Sequence, residues 1–207
     1  MKTILALEAS SDFASVALWR DGAVLAGQEF ASKRSLSSDL FPVLARLLEG
    51  AGAVDRVVVG LGPGSYAGVR IAIAAALGLQ CVWGCELVGI PSVAALGHFG
   101  ETFQAIGDAR RGTWYYSRIL NGICVEGPLL LGSEQELHAA LALGAELNAG
   151  PVRASEILPP EWQADTRPPQ AAVLAQLAAQ NLGIVQQDDL EPLYLREVHI
   201  TLPGAVG

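Results

Sequence analysis

The stretch Gly60-Leu61-Gly62-Pro63-Gly64-Ser65-Tyr66-Ala67-Gly68-Val69-Arg70 decides how this chain reads. A continuous apolar run, Arg56 to Gly60, precedes it, and an alanine-rich run from about Ala67 to Cys81 follows. A short unbroken apolar segment bounded by glycine is the mark of a strand buried on both faces, and the alanine-rich run that of a helix. The loop is therefore a tight strand-to-helix turn. It lacks the Gly-Lys-Ser/Thr ending of a phosphate-binding P-loop. Ser65 is flanked by Pro63 and Ala67, where a nucleophile elbow needs glycines. Gly62-x-Gly64-x-x-Ala67 fits the relaxed dinucleotide fingerprint, but Pro63 removes an amide, and Glu86 precedes its strand instead of ending it. A structural turn is the favoured reading, shaped by Gly62, Pro63, Gly64, Ser65, Gly68 and Arg70. Gly68, Ala72 and Ala75 or Ala76 form a small-residue stripe that admits another backbone, from the chain's own core or from a partner.

Working outward, Thr3 to Leu7 is a buried strand, broken by Glu8-Ala9-Ser10-Ser11-Asp12. Phe13 to Trp19 and Ala23 to Phe30 are strands joined at Asp21-Gly22, a hairpin signal. Ser37 or Ser38 caps a helix with Leu40, Phe41, Leu44, Leu47 and Leu48 at spacings of three and four. Leu87 to Ile90 is a further strand, and Pro91-Ser92 opens a helix. The second half repeats the plan. Thr102 to Ile106, the break Asp108-Ala109-Arg110-Arg111-Gly112, Thr113 to Leu120, the turn Asn121-Gly122 and Ile123 to Leu131 follow in order. Ser133 and Glu136 have capping-box spacing for a helix to about Leu143. Ala145 to Asn148 is expected as a strand and Pro169 to Asn181 as a helix. Duplicated βββαβα units, residues 1–100 and 101–207, make an α/β chain with the actin-like, ribonuclease-H-like two-lobed plan. Both polar breaks would flank the inter-lobe cleft. A phosphotransferase places glycine and an acid there, but the first break has no glycine.

Of 207 residues, 51% are hydrophobic and 16% charged, and the net charge is -8. That balance argues against a direct grip on nucleic acid, which needs clustered cations. It also excludes disorder. The uncharged run Ile71 to Cys85, bracketed by Arg70 and Glu86, falls short of the roughly 18 to 20 residues a membrane span needs. No secretory signal pattern follows Met1. Cys81, Cys85 and Cys124 lack CxxC spacing and read as buried reduced thiols. His98, His138 and His199 are too scattered for a metal site. Arg70 and Arg196 are each expected to pair with an acid in their own lobe.

The run Gly62 to Ile71, GPGSYAGVRI, closely resembles the GPGS(F/Y)TG(L/V)RI signature of the TsaB (YeaZ-like) family. Ile4 to Ser10 is similar to that family's opening ILAIDTS. Asp108-Ala109-Arg110-Arg111-Gly112 with Tyr115 is similar to its DARRGEVY, and Pro192-Leu193-Tyr194-Leu195-Arg196 to its terminal PLYLR. The departures are Glu8-Ala9 for Asp-Thr, Ala67 for the loop threonine, and Leu36 to Pro42 for HSExLxP without its histidine and glutamate. A lysine common in the second helix is missing from Ala74 to Leu79.

The resemblance implies an actin-like cytoplasmic subunit, not itself the catalyst, that serves the threonylcarbamoyl modification of adenosine 37 in tRNA. A catalytic homologue, TsaD, would carry the metal and transfer the group, and a small ATPase, TsaE, would join the assembly. The tRNA would be touched only indirectly, with no membrane involved. No catalytic residue, metal ligand or cofactor is assigned to this chain. Pairing with TsaD would use Leu36, Leu40, Phe41, Leu44 and Leu47 of the first helix with Val69, Ile73 and Leu77 of the second. Burial against their own sheet is expected for about half of these. A homodimer through the same side is expected when the partner is missing. The competing readings are an actin-like enzyme (a small-molecule phosphotransferase or a peptidase) and a dinucleotide-binding module.

Overall fold

The computed structural model describes residues 2–31 and 36–196; His199 lies outside them. The first lobe begins with β1 (Thr3–Glu8), β2 (Phe13–Arg20) and β3 (Ala23–Ala31). It continues through α1 (Leu36–Leu48), β4 (Arg56–Gly60), α2 (Tyr66–Trp83) and β5 (Glu86–Ile90), and a 3-10 turn at Ser92–Ala95 leads out. The second lobe holds β6 (Phe103–Asp108), β7 (Trp114–Leu120), β8 (Ile123–Leu131), α3 (Glu134–Glu146), β9 (Val152–Ala154) and β10 (Asp165–Thr166). Finally come α4 (Ala171–Ala179) and β11 (Gln186–Gln187). The sheet orders are β11-β5-β4-β1-β2-β3 and β10-β9-β6-β7-β8. In each lobe three antiparallel strands meet a parallel neighbour, β4 beside β1 and β9 beside β6. This is the actin-like two-lobed α/β plan.

Local chemistry explains the shared part. Both hairpin turns have two consecutive positive φ angles, Asp21 (51°) with Gly22 (93°) and Asn121 (52°) with Gly122 (80°). That is the type I′ geometry that matches strand twist. The first sheet is covered on both faces. Leu5, Leu7, Val57 and Val59 pack against α1 and α2, whereas Ile4, Ala6, Val58 and Val88 pack against α4. Strands covered on two sides need unbroken apolar runs, which β1 and β4 have.

The structure departs from the sequence reading in five places. First, α1 starts at Leu36, so Ser37 and Ser38 lie inside its first turn and neither caps it; Leu36 is already packed in the core. Second, Ala145 and Glu146 continue α3, and the next strand is Val152–Ala154. Gly144 is where α3 touches the sheet, not where it stops, since a Cβ there would overlap the Gln104 carboxamide. Third, the second repeat does not close on itself. α4 lies on β1 and β2, and β11 pairs with β5, so the chain re-enters the first lobe after its second. A plain division at 100/101 does not describe that return. Fourth, α2 is, by length and composition, apolar enough to cross a membrane. Its inner side, with Val69, Ala72, Ile73 and Ala76, is instead packed on the first sheet. Fifth, Cys85 is buried but Cys124 is half-buried and Cys81 exposed, because Cys81 faces outward on α2; all three are free.

Candidate functional site

The two polar breaks face each other across a cleft of about 1030 Å³. Ser10 to Phe13 and Pro63 to Tyr66 form one wall. Asp108 to Arg110, Ser155 to Ile157 and Thr166 to Pro168 form the other, and Pro192 to Arg196 runs between.

On the first wall the glycine loop is pressed onto the break after β1. The Ser65 amide donates to the Ser10 carbonyl at 2.6 Å, and the Gly68 amide to Ser65 Oγ at 3.2 Å, which makes Ser65 the cap of α2. The Gly62 amide donates to Ser92 Oγ at 2.9 Å. Gly62 has φ 91° and Gly64 φ 151°, and the Gly62–Pro63 peptide is cis. A Cβ on Gly64 would overlap the Ser10 carbonyl, and one on Gly68 the Ala9 carbonyl. The Gly62, Ser65 and Gly68 amides are thus bonded within the chain, and Pro63 has none to offer, which favours the structural turn over the dinucleotide reading.

Beneath this contact lies Glu8, almost completely buried. Its Oε1 accepts the Ser10 amide at 2.6 Å. Its Oε2 occupies the space that a side chain on Gly60 would need, beside Ser92. Burial raises the Glu8 pKa above its ordinary value, opposed by the bond from the Ser10 amide. The carboxyl group is therefore a bolt under the loop, out of reach of a substrate in the cleft.

The second wall is built from side chains. Glu156 accepts the Asp108 amide at 2.9 Å, and burial raises its pKa despite that bond and Arg110. Asp108 accepts the Arg110 amide at 2.6 Å and pairs with its guanidinium at 3.1 Å. Tyr115 OH lies 3.3 Å from Ser155 Oγ, and burial pushes its pKa up to about 12. Among the described residues, no three His, Cys, Asp or Glu side chains converge as metal ligands.

Among the described residues, neither arginine has the acidic partner expected of it. Arg70 is exposed; its Nη1 donates to Tyr66 OH at 2.8 Å, and its guanidinium lies 5.2 Å over the Tyr66 ring. Arg196 Nη2 donates to the Arg110 carbonyl at 2.8 Å and to Thr113 Oγ1. Arg70 is met by a hydroxyl one turn back on its own helix, and Arg196 by a carbonyl and a hydroxyl of the β6–β7 turn. Sequence reasoning did not place Ser155, Glu156 and Arg167 in the cleft, because nothing local in their segment marks them. The PLYLR run was recognisable, but its position between the walls was not.

The eight candidate docking residues divide. Leu36, Leu40, Leu44, Val69 and Ile73 are core residues of the first lobe and offer no partner surface. Their spacing aims one stripe at the sheet, as amphipathic packing requires. Leu47 is half-buried against that core. Phe41 and Leu77 face outward at 55% and 41% exposure. On α2 they are joined by residues that had not been singled out, Ala74, Gly78 and Val82, all exposed.

The sequence model of the TsaD family, tRNA N6-adenosine threonylcarbamoyltransferase, matches residues 29–128. An uncharacterized Mycobacterium tuberculosis protein is 32% identical over 136 residues, 62% of this chain and 64% of that protein. Escherichia coli TsaB, a tRNA threonylcarbamoyladenosine biosynthesis protein, is 33% identical over 134 residues, 58% of this chain and 57% of TsaB. The chain thus spans less than two thirds of the length of the curated relatives it matches. A Pseudomonas aeruginosa crystal structure, described as an uncharacterized protein with similarity to peptidase YeaZ, superposes with TM-score 0.73 at 26% identity. It covers 95% of this chain and 100% of that one. YeaZ from the same organism superposes with TM-score 0.68 at 25% identity, over 94% of this chain and 100% of that one.

Proposed function

Because this chain is TsaB/YeaZ-like in sequence and fold, we propose that it is an accessory subunit in threonylcarbamoyl modification of tRNA adenosine 37. It docks a TsaD-type catalytic homologue through the outward sides of α1 and α2. The observation that carries this reading is Gly78. It sits in the middle of an 18-residue helix, exposed, and a Cβ there would meet nothing within 4 Å. Glycine in a helix interior is less stable than alanine by about 1 kcal/mol. Nothing in the chain's own packing needs the missing side chain, whereas a partner's backbone would. Ala74 and Leu77 flank it, Phe41 adds an aromatic anchor from α1, and α2 carries no carboxylate. A net charge of -8 leaves the grip on tRNA to the partner, and a TsaE-type ATPase completes the cytoplasmic assembly.

The test is size-exclusion chromatography of the full chain mixed with the TsaD-type protein of the same organism. A complex is expected, weakened at least roughly tenfold by Leu77→Arg or Gly78→Leu while the melting temperature stays within a few degrees. Two variants that fold and bind as well as the native chain overturn this docking side. ATP hydrolysis by the isolated chain at enzyme-like rates, lost in Asp12→Asn, overturns the accessory role.

A further inference from the structure

We infer that Pro192–Arg196 is a latch between the lobes, and that its seating sets the opening of the cleft in the isolated chain. The segment touches both walls within a few residues. The Leu193 amide donates to the Leu61 carbonyl at 2.8 Å, just past the end of β4, and the Leu193 side chain packs against the first-lobe core. Tyr194 lies on Tyr66, at the start of α2, with ring centroids 5.5 Å apart. Leu195 packs against the cluster that holds Phe103, Tyr115 and Ile119 of the second sheet. Arg196 closes the far end, donating to the Arg110 carbonyl and to Thr113 Oγ1, both in the turn between β6 and β7.

Each contact would serve little purpose if the lobes moved freely, because Leu61 and Arg110 stand on opposite walls. Adjacent strand residues advance only about 3.3 Å, so Leu193 to Arg196 reaches across only a narrow gap. The latch can therefore stay seated only while the walls stay close. A cleft between two lobes opens by rotation about the segments that join them, here the stretch after the 3-10 turn and the connection from β10 to α4. A latch bonded to both walls opposes that rotation. Neither Arg196 nor Tyr194 touches the outward side of α1 or of the later turns of α2, so the inference stands apart from the docking reading.

The experiment measures the distance across the cleft by pulsed electron resonance. Nitroxides are placed at Phe13→Cys and Ile157→Cys, which are 51% and 90% exposed on facing walls, in a Cys81→Ser background. One narrow distance is expected for the native latch, unchanged by ATP with magnesium. Tyr194→Ala with Arg196→Ala should lengthen the distance and make its distribution roughly twofold broader. Tyr194→Phe with Arg196→Lys should stay near native, since Lys keeps a donor for the Arg110 carbonyl. A folded double-alanine variant with the native narrow distance overturns the latch, as does a shift of the native distance on adding nucleotide. Should the double-alanine variant not fold, hydrogen exchange on the chain with the native latch decides. The Leu193 amide must then be protected, and exchange at the unprotected rate overturns the inference.

Discussion

The break after β1 and the break after β6 occupy the same place in the two repeats, yet they are stabilised in different ways. The first, Ala9 to Asp12, is clamped by backbone: Ser65 bonds Ser10, and Gly64 and Gly68 lie so close that neither position has room for a Cβ. The second, Ala109 to Gly112, closes its own turn through backbone bonds with Thr113. It is fixed to the rest of its lobe by side chains, Glu156 on the Asp108 amide and Asp108 on Arg110, and it faces solvent. Arg110 and Arg111 even take positive φ angles there, 68° and 58°. The difference follows from what comes after the parallel strand. β4 leads into a glycine loop and an 18-residue helix that can approach closely. β9 is three residues long and leads into Ser155-Glu156, whose side chain must bridge the gap.

The sharpest way to break this comparison is to add one methyl group on each side. Gly68→Ala should destabilise by about 3 kcal/mol or more, because the new carbon meets the backbone of Ala9, which cannot rotate away. Gly112→Ala should lose about 1 kcal/mol, for its φ of 71° alone, since nothing lies within 4 Å. Urea unfolding of both variants checks this, and equal losses would mean that the first break is no more tightly clamped than the second.

A smaller effect is expected from the buried acid. Glu8 has a raised folded-state pKa, so the native state holds its proton more tightly than the unfolded chain. Its contribution is complete below the ordinary carboxylate pKa and is lost as pH rises through the folded-state pKa. Glu8→Gln removes that loss. The variant should be the more stable at pH 7, by on the order of 1 kcal/mol, and the gap should vanish in acid. Thermal melts from pH 4 to 8 would show it, and a native curve parallel to that of the variant would refute it. Smallest of all, Glu156→Gln should change stability by under about 0.5 kcal/mol. The sign is the same, because its pKa is raised too, but a third of the side chain remains in water. A Glu156 effect as large as that of Glu8 would erase the distinction between bolt and bridge.

Several features were legible from residues alone because their causes are local. Asp21-Gly22 and Asn121-Gly122 are read from the dihedrals they tolerate. Ser133 caps α3 as its spacing to Glu136 predicts, with the Glu136 amide on Ser133 Oγ at 3.2 Å; the Glu136 carboxylate goes to the Gly132 amide instead. The Gly62 to Gly68 turn is likewise identified by its glycines. Other features were not legible, for an equally physical reason. Ala171–Ala179 has Gln176 as its one polar side chain, so its composition does not specify which sheet it covers, and it crosses back to the first. Leu36, Leu40 and Leu44 form a stripe that serves a core or a partner equally well, until the sheet beneath them is seen.

The sequence by itself therefore determined the order of elements from β1 to the start of α3, the two hairpin turns and the glycine loop, since each depends on backbone preference and periodicity within a few residues. Tertiary structure alone decided which helix faces stay outside, how Glu8 is enclosed, and that Pro192–Arg196 lies between the lobes. Those outcomes depend on which distant surfaces exclude water together, and that information is spread over the whole chain, not written in any one segment.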